Sequence, residues 1–434
     1  MMLNVDLEKN KLLRVSGPAS IRVEKGKVKV LGATFGEGER FVINRYRSYV
    51  IKGLEDKSRL EISLGDGGGI EEPAPGEEVV DVWETNINEI LTKCKSTYQK
   101  CTIMIIGPVE SGKSSLTAFI SNMALEYSLK PVIIDADIGQ ADIGPPGFIS
   151  AAVPDKKILW LRDLSAEILR MIGSITPSYV LHRIIPSIIE LANLLRNKGD
   201  IVIIDTDGWV HGAQAIEYKI DMVRSVKPDY VIILGDKDLA EVFKKTFLNT
   251  SINVLSLPSP QVVKKRDRDD RRYLRSRAYQ RYLENGKIRK FNLNDIALIN
   301  TYIFTGEKID ISEVKDLLQQ VGVTPLYVSR YINTLFIVID RQTNIRSIVE
   351  LLSQKYGNME IYVFVKGFEK GLLVSLLDVN LEDKAPGIVQ AIDFTKNEIY
   401  VQTRYEGEVR GIAFSKIRLS ETWEEVGKPS KYMI

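Results

Sequence analysis

The chain has 434 residues, 44% of them apolar and 27% charged, a balance that excludes disorder over most of its length and supplies material for sizeable cores. Lys and Arg number 59 against 57 Asp and Glu, so bulk charge alone does not point to a nucleic-acid partner. Two cysteines, Cys94 and Cys101, exclude a disulfide framework and a Cys-rich zinc site, while two histidines, His182 and His211, exclude a multi-His metal centre and disfavour Ser-His-Asp hydrolysis. The cysteines read as reduced thiols of a cytoplasmic protein, although the pair could close a small loop. No apolar run reaches the roughly 18 residues of a membrane span, and the N-terminus lacks a signal pattern, so no membrane association is expected.

Residues 1–80 alternate apolar and polar in short stretches, Leu12–Val15, Ser20–Val23, Lys27–Leu31, Arg40–Ile43, Tyr49–Ile51 and Arg59–Ser63, separated by glycine-bearing turns. Period two with closely spaced turns predicts a small β-sandwich or barrel. An acidic, proline-bearing stretch at Glu71–Glu78 reads as a loop or linker, and Val79–Lys100 as mostly helical. From Thr102 four short β-branched runs appear: Ile103–Ile106, Val132–Ile134, Ile201–Ile204 and Val231–Leu234. They are apolar throughout, as strands buried on both faces of a parallel sheet should be. Helical patterns such as Ser115–Tyr127 and Leu181–Lys198 lie between them, which predicts a doubly wound α/β domain over 81–306. Each run ends at Gly107, Asp135, Asp205 or Gly235, and ligands of open α/β sheets bind at that carboxyl rim. Beyond Gly306 short strand signals return, Leu335–Ile339, Ile361–Val365, Gly371–Leu376, Gly387–Ile392 and Ile399–Thr403, predicting a β-rich C-terminal domain over 307–434.

The run Gly107-Pro108-Val109-Glu110-Ser111-Gly112-Lys113-Ser114 matches the phosphate-loop pattern at every fixed position, after a strand-like run and before a helix-like one. Glycines let backbone N–H groups turn onto phosphate oxygens, and the helix N-terminus adds its positive end. Lys113 can reach the β- and γ-phosphates, and the Ser114 hydroxyl can ligate Mg²⁺. A nucleoside triphosphate is therefore expected at Gly107–Ser115. Asp137, in Asp135-Ala136-Asp137-Ile138-Gly139-Gln140, can hold Mg²⁺ or accept a proton from an attacking hydroxyl. Asp205 matches it in height but is equally suited to forming a turn. The guanine-reading Asn-Lys-x-Asp element is lacking, since Gly235-Asp236-Lys237-Asp238 misplaces both polar residues, so a GTPase is disfavoured.

Charge is unevenly placed. Between Lys264 and Lys290 twelve Lys/Arg face four Asp/Glu, a local +8 in an otherwise mildly acidic chain. If helical, Lys264–Arg281 puts Arg271 and Arg275 on one face, with Arg266, Arg272 and Arg277 nearby, and such arginines can stabilise a transferred phosphoryl group. Taken alone, a charge run is more often a solvated helix face. Trp209, directly beyond a strand end in Asp205-Thr206-Asp207-Gly208-Trp209, is placed to stack on a base, worth about 1–3 kcal/mol; a core tryptophan is the plainer alternative. His211 beside it could contact phosphate or be structural.

Together these strings resemble the polynucleotide 5′-hydroxyl kinase family, which includes the kinase subunit of the pre-mRNA cleavage complex, nucleolar pre-rRNA processing kinases and archaeal relatives. The resemblance runs over about residues 100–290: the phosphate loop, Asp-x-Asp-x-Gly-Gln at 135–140, Pro145-Pro146-Gly147, Gly173-Ser174-Ile175-Thr176-Pro177, Thr206-Asp207-Gly208-Trp209, and the Arg-rich lid of about 264–290. It implies a central P-loop kinase flanked by β-rich domains that transfers phosphate from ATP, with other NTPs as alternatives, to 5′-hydroxyl ends of RNA or DNA. It assigns ATP and Mg²⁺ to Lys113 and Ser114, and nucleophile or metal to Asp137. The terminal nucleotide falls to Gln140, Thr176, Thr206, Gly208, Trp209 and Arg266, and the phosphoryl group to Arg271 and Arg275. RNA-processing proteins are implied as partners. An ATP-binding scaffold without catalysis and an ATPase of partition or motor type are the competing readings; an intact loop and lid weigh against the first, and an otherwise idle tryptophan and lid against the second.

Overall fold

A computed structural model describes residues 2–97, 100–262 and 266–427. Contacts divide the chain into two compact units, the first comprising Met1–Gly144, Ile149–Ile168 and Thr176–Arg271, the second Pro145–Phe148, Leu169–Ile175 and Arg272–Ile434.

The first unit opens with nine strands, β1 (Met2–Leu7), β2 (Leu12–Ser16), β3 (Ala19–Lys25), β4 (Val28–Val30), β5 (Ala33–Phe35), β6 (Arg40–Ile43), β7 (Ser48–Gly53), β8 (Ser58–Leu64) and β9 (Gly69–Glu71), among the described residues. They form two antiparallel sheets in the orders β1-β8-β3-β6 and β5-β4-β7-β2-β9. Alternation drives this: in β3 Ala19, Ile21 and Val23 are buried while Ser20 and Arg22 face out. Strands β1, β5 and β9 went unrecognised in the sequence because they are short or carry polar residues at alternate positions.

Next come α1 (Val80–Thr97), β10 (Cys101–Ile106), α2 (Lys113–Glu126), β11 (Pro131–Ala136), β12 (Phe148–Ala152), β13 (Ile168–Met171), α3 (Leu181–Leu195), β14 (Ile201–Thr206), α4 (Ala213–Val226), β15 (Tyr230–Leu234), α5 (Lys237–Thr246), β16 (Asn253–Leu257) and α6 (Arg268–Leu283). Within the first unit the central sheet runs β12-β11-β14-β10-β15-β16. Its four inner strands are those the apolar runs predicted, and every residue in them is buried. They pair in parallel, Ile103 opposite Ile203 and Ile133 opposite Ile203, so their carboxyl ends share one rim. Two strands were not expected. β16 extends the parallel set, whereas β12 pairs antiparallel to β11, through Asp135 opposite Ser150.

One apolar core runs without interruption from the N-terminal sheets into the α/β layer, joining Val30, Phe35 and Ile51 to Trp83, Phe119, Met123 and Ile105. Polar ties reinforce it: Asn122 Nδ2 donates to the carbonyls of Leu31 and Ile158, and Lys29 pairs with Glu84. Cys94 and Cys101 are not free thiols. They are joined in a disulfide, because α1 returns the chain into β10 with the two Cα atoms 5.5 Å apart.

The second unit holds a six-stranded sheet ordered Lys287–Asn292, Glu398–Thr403, Asp383–Asp393, Leu372–Leu377, Gly411–Arg418, Ala297–Ile299, and a four-stranded sheet backed by helices Ser312–Gln319 and Ile345–Tyr356. Among the described residues no helix is long and apolar enough to cross a membrane. The basic segment is divided: Lys264 and Lys265 lie outside the described residues, α6 ends at Leu283, and Lys287–Asn292 is a strand paired to Glu398–Thr403.

Candidate active site

The phosphate loop joins β10 to α2. Gly112 takes φ 96° and Glu110 φ 65°, left-handed conformations that turn the loop back so that α2 begins at Lys113. Lys113 is 7% exposed, and its Nζ donates to the Pro108 carbonyl oxygen at 2.8 Å. Behind the loop, Ser259 Oγ donates to the Ser111 carbonyl oxygen. Gly107 is required where it stands, since a Cβ there would lie 2.5 Å from the Leu234 carbonyl oxygen.

Three aspartates gather at the rim. Asp135, the last residue but one of β11, accepts from the backbone N–H groups of Asp142 (2.7 Å), Ile143 (2.9 Å) and Asp137 (3.2 Å), and so shapes the following loop. Burial and the neighbouring Asp205 and Asp142 push its carboxyl well above the usual range. Asp137 Oδ1 accepts from Gln140 N (2.9 Å) and Gly139 N (3.1 Å), the turn-forming role, while Oδ2 has no hydrogen-bond partner among the described residues. Burial, then Asp207, raises its pKa against the pull of Lys113. Asp205 ends β14. Burial pushes its carboxyl up to about 7 against the pull of Lys113 and the Ser114 hydroxyl, and its buried Oδ1 has no hydrogen-bond partner. Among the described residues no set of three or more His, Cys, Asp or Glu forms a metal cage. A hydroxyl with one or two crowded carboxylates is nevertheless the donor set a Mg²⁺ shared with phosphates uses, and the orphaned Asp205 oxygen fits that role.

The loop after β14 lies against the phosphate loop. A Cβ on Gly208 would fall 2.7 Å from Val109 Cγ2 and 2.8 Å from Val109 N, so glycine alone permits the approach. Trp209 is half-buried, its ring 5.9 Å from that of Tyr218. Thr206 is fully buried, and its hydroxyl donates to the Ile105 carbonyl oxygen at 2.8 Å, across to β10. Gln140 is half-buried with its Oε1 unpartnered, and Thr176 precedes the short 3₁₀ turn Pro177–Tyr179. His211 is exposed.

The arginines separate. Arg271 pairs with Glu110 of the phosphate loop at 2.7 Å, and the Arg266 backbone N–H donates to the same carboxylate oxygen. Those contacts outweigh burial and hold the Glu110 carboxyl below its ordinary range. Burial, with Arg47 and Arg162 close by, pushes the Arg266 guanidinium down to about 10. Arg275, one turn along α6, pairs with Glu425 at 2.8 Å, where Tyr279 also bonds. Arg272 pairs with Glu424, and Arg277 with Gln280. No local pattern singles out Glu110 as an arginine acceptor, or Asp207, whose carboxylate is buried and paired with Lys219. Lys219 did leave a signal: it occupies a core position in the 215, 218, 219, 222, 223 stripe of α4.

A phosphate loop with its lysine, a carboxylate rim and a second loop packed on Val109 define a P-loop phosphotransferase. Residues 107–285 match the model of the mRNA cleavage and polyadenylation factor CLP1 P-loop. A polyribonucleotide 5′-hydroxyl-kinase of Pyrococcus abyssi is 32% identical over 341 residues, covering 77% of this chain and 92% of the relative. One of Pyrococcus horikoshii is 31% identical over 340 residues, covering 77% and 90%. The structure of a wild-type Clp1p–Pcf11p complex shares the fold at 12% identity, with a TM-score of 0.63 over 96% of this chain and 98% of that one. The chain belongs to the polyribonucleotide 5′-hydroxyl-kinase family that shares the CLP1 P-loop.

Proposed function

We propose that this chain transfers the γ-phosphate of ATP to the 5′-hydroxyl end of RNA, and of DNA as well. The observation that carries the reading is the seat of Gly208 on Val109: the tryptophan loop is built onto the phosphate loop, so a base stacked on Trp209 sits beside the nucleotide's phosphates. In-line transfer needs little covalent chemistry, only alignment and neutralisation of developing charge. Lys113 binds the β- and γ-phosphates, Asp137 takes the proton of the attacking hydroxyl through its unengaged Oδ2, and Arg271 leaves Glu110 for the transferred group. Arg275 joins it by exchanging Glu425 for phosphate. Gln140, Thr176 and Arg266 hold the acceptor strand, and Thr206 acts through the sheet by fixing the height of Gly208. Ser114, Asp205 and Asp137 would hold Mg²⁺, which would supply positive charge against the phosphate oxygens. RNA-processing proteins remain the proposed partners, in line with the Clp1p–Pcf11p assembly of the fold's relative.

Transfer of label from γ-³²P-ATP to a 5′-hydroxyl oligonucleotide tests the reading; ATP binding without transfer would favour a scaffold. Trp209→Ala is expected to weaken acceptor use about tenfold to a hundredfold, equally for A, C, G and U ends, because stacking does not read base edges. ATP affinity should be spared, and Trp209→Phe should recover part of the loss. A fall in melting temperature with joint loss of ATP binding would mark a core tryptophan instead. Gly208→Ala is expected to differ. Its methyl group must displace Val109, so the KM values for ATP and acceptor should rise together, measured by initial rates against each substrate.

A further inference from the structure

Trp209 does not hold itself. Its backbone N–H donates to Asp207 Oδ1 at 2.9 Å, and Asp207 Oδ2 accepts from Lys219 Nζ at 2.8 Å and Tyr218 Oη at 3.0 Å. Lys219 Nζ also donates to the Asp207 carbonyl oxygen at 3.0 Å and lies 4.9 Å from the centre of the Tyr218 ring. Asp207 is 3% exposed and Lys219 not at all. A lysine taken wholly out of water is costly unless paired and hydrogen-bonded, and replacing such a pair with apolar residues is often neutral or stabilising. Stability alone therefore gives little reason for an ion pair under this loop. Its geometry gives one: the pair ties both the side chain and the carbonyl of Asp207 to α4, while the Tyr218 ring backs the indole of Trp209. On the other side Gly208 is pinned by Val109.

We propose that Lys219, with Tyr218, is a positioning residue for the acceptor: acting through Asp207, it fixes the Trp209 ring at the attitude in which the terminal base stacks. This rests on the kinase reading above. Lys219 touches neither substrate, and its effect passes entirely through the tryptophan.

That dependence makes a double-mutant cycle the test. Lys219→Met, Tyr218→Phe, Trp209→Ala and the combination Lys219→Met/Trp209→Ala are assayed for acceptor KM, kcat, ATP affinity and melting temperature. Lys219→Met should raise acceptor KM about tenfold, the scale of losing a charged hydrogen bond, with ATP affinity unchanged within twofold. In the Trp209→Ala background the same substitution should change acceptor KM less than twofold. Tyr218→Phe keeps the ring and loses one hydrogen bond, so it should fold normally and raise acceptor KM about threefold. If Lys219→Met does not fold, Asp207→Asn/Lys219→Met removes the buried charges together, and the tenfold rise should appear there. Additive effects of Lys219 and Trp209, an equal loss of ATP affinity, or a wild-type acceptor KM in folded Tyr218→Phe and in the folded lysine variant would overturn the assignment. Absence of transfer by the wild-type chain would overturn the kinase reading itself, and this assignment with it.

Discussion

Lys113→Ala is expected to lower phosphoryl transfer by several orders of magnitude while leaving the fold intact. The ammonium is the charge that meets the β- and γ-phosphates, and charge stabilisation is most of what a phosphoryl-transfer enzyme supplies. The protein's own need for that side chain is small. Its Nζ makes one hydrogen bond, to Pro108 O, and the bond from Thr117 Oγ1 to the Lys113 carbonyl oxygen survives in alanine. Melting temperature should therefore change little as the rate collapses. A variant that still phosphorylated ends at more than about a tenth of the wild-type rate would deny the loop its role.

Arg271→Ala and Arg275→Ala should also act mainly on kcat, each by about a thousandfold if both arginines meet the transferred group, with oligonucleotide affinity nearly unchanged. The two start from different partners, Glu110 and Glu425, so each must trade a carboxylate for phosphate. Glu110 stands in the phosphate loop itself, so Arg271 starts beside the group it would meet. Variants that keep kcat and lose only salt-sensitive RNA binding would make α6 a tether for nucleic acid.

The sequence disclosed the parts of this molecule that obey a short-range rule. The phosphate loop is eight consecutive residues whose spacing is set by one anion, and the four inner strands are contiguous apolar runs because both their faces are covered. β12 carries no such run, because serine interrupts Phe148–Ala152 and two alanines of weak strand preference end it, and its antiparallel direction is set by a connection rather than a composition. The separation of Arg271 from Arg275 was equally hidden. Spacing puts them on one face of α6, but which carboxylate each finds depends on Glu110 and Glu425, 161 and 150 residues away in the chain. Asp205 shows the same limit. An aspartate after a strand forms turns as readily as it binds cations, and only the orphaned, crowded oxygen distinguishes them.

The unbroken core between the N-terminal sheets and the α/β layer makes the first seventy residues a mould for the phosphate loop rather than an appendage. Helix α2 starts at Lys113, and its opposite flank is cast against the Leu31–Gly32 turn: a Cβ on Gly32 would lie 2.6 Å from the Phe119 carbonyl oxygen, and Asn122 holds the Leu31 carbonyl. A rigid rod transmits a push along its length, so a displacement at Phe119 arrives at Lys113 six residues away. Damage far from any substrate, at Gly32 or Asn122, would thus register as poor nucleotide binding. A fragment trimmed to begin at α1 would present Trp83, Phe119 and Met123 to water and precipitate before its catalytic loop could be assayed.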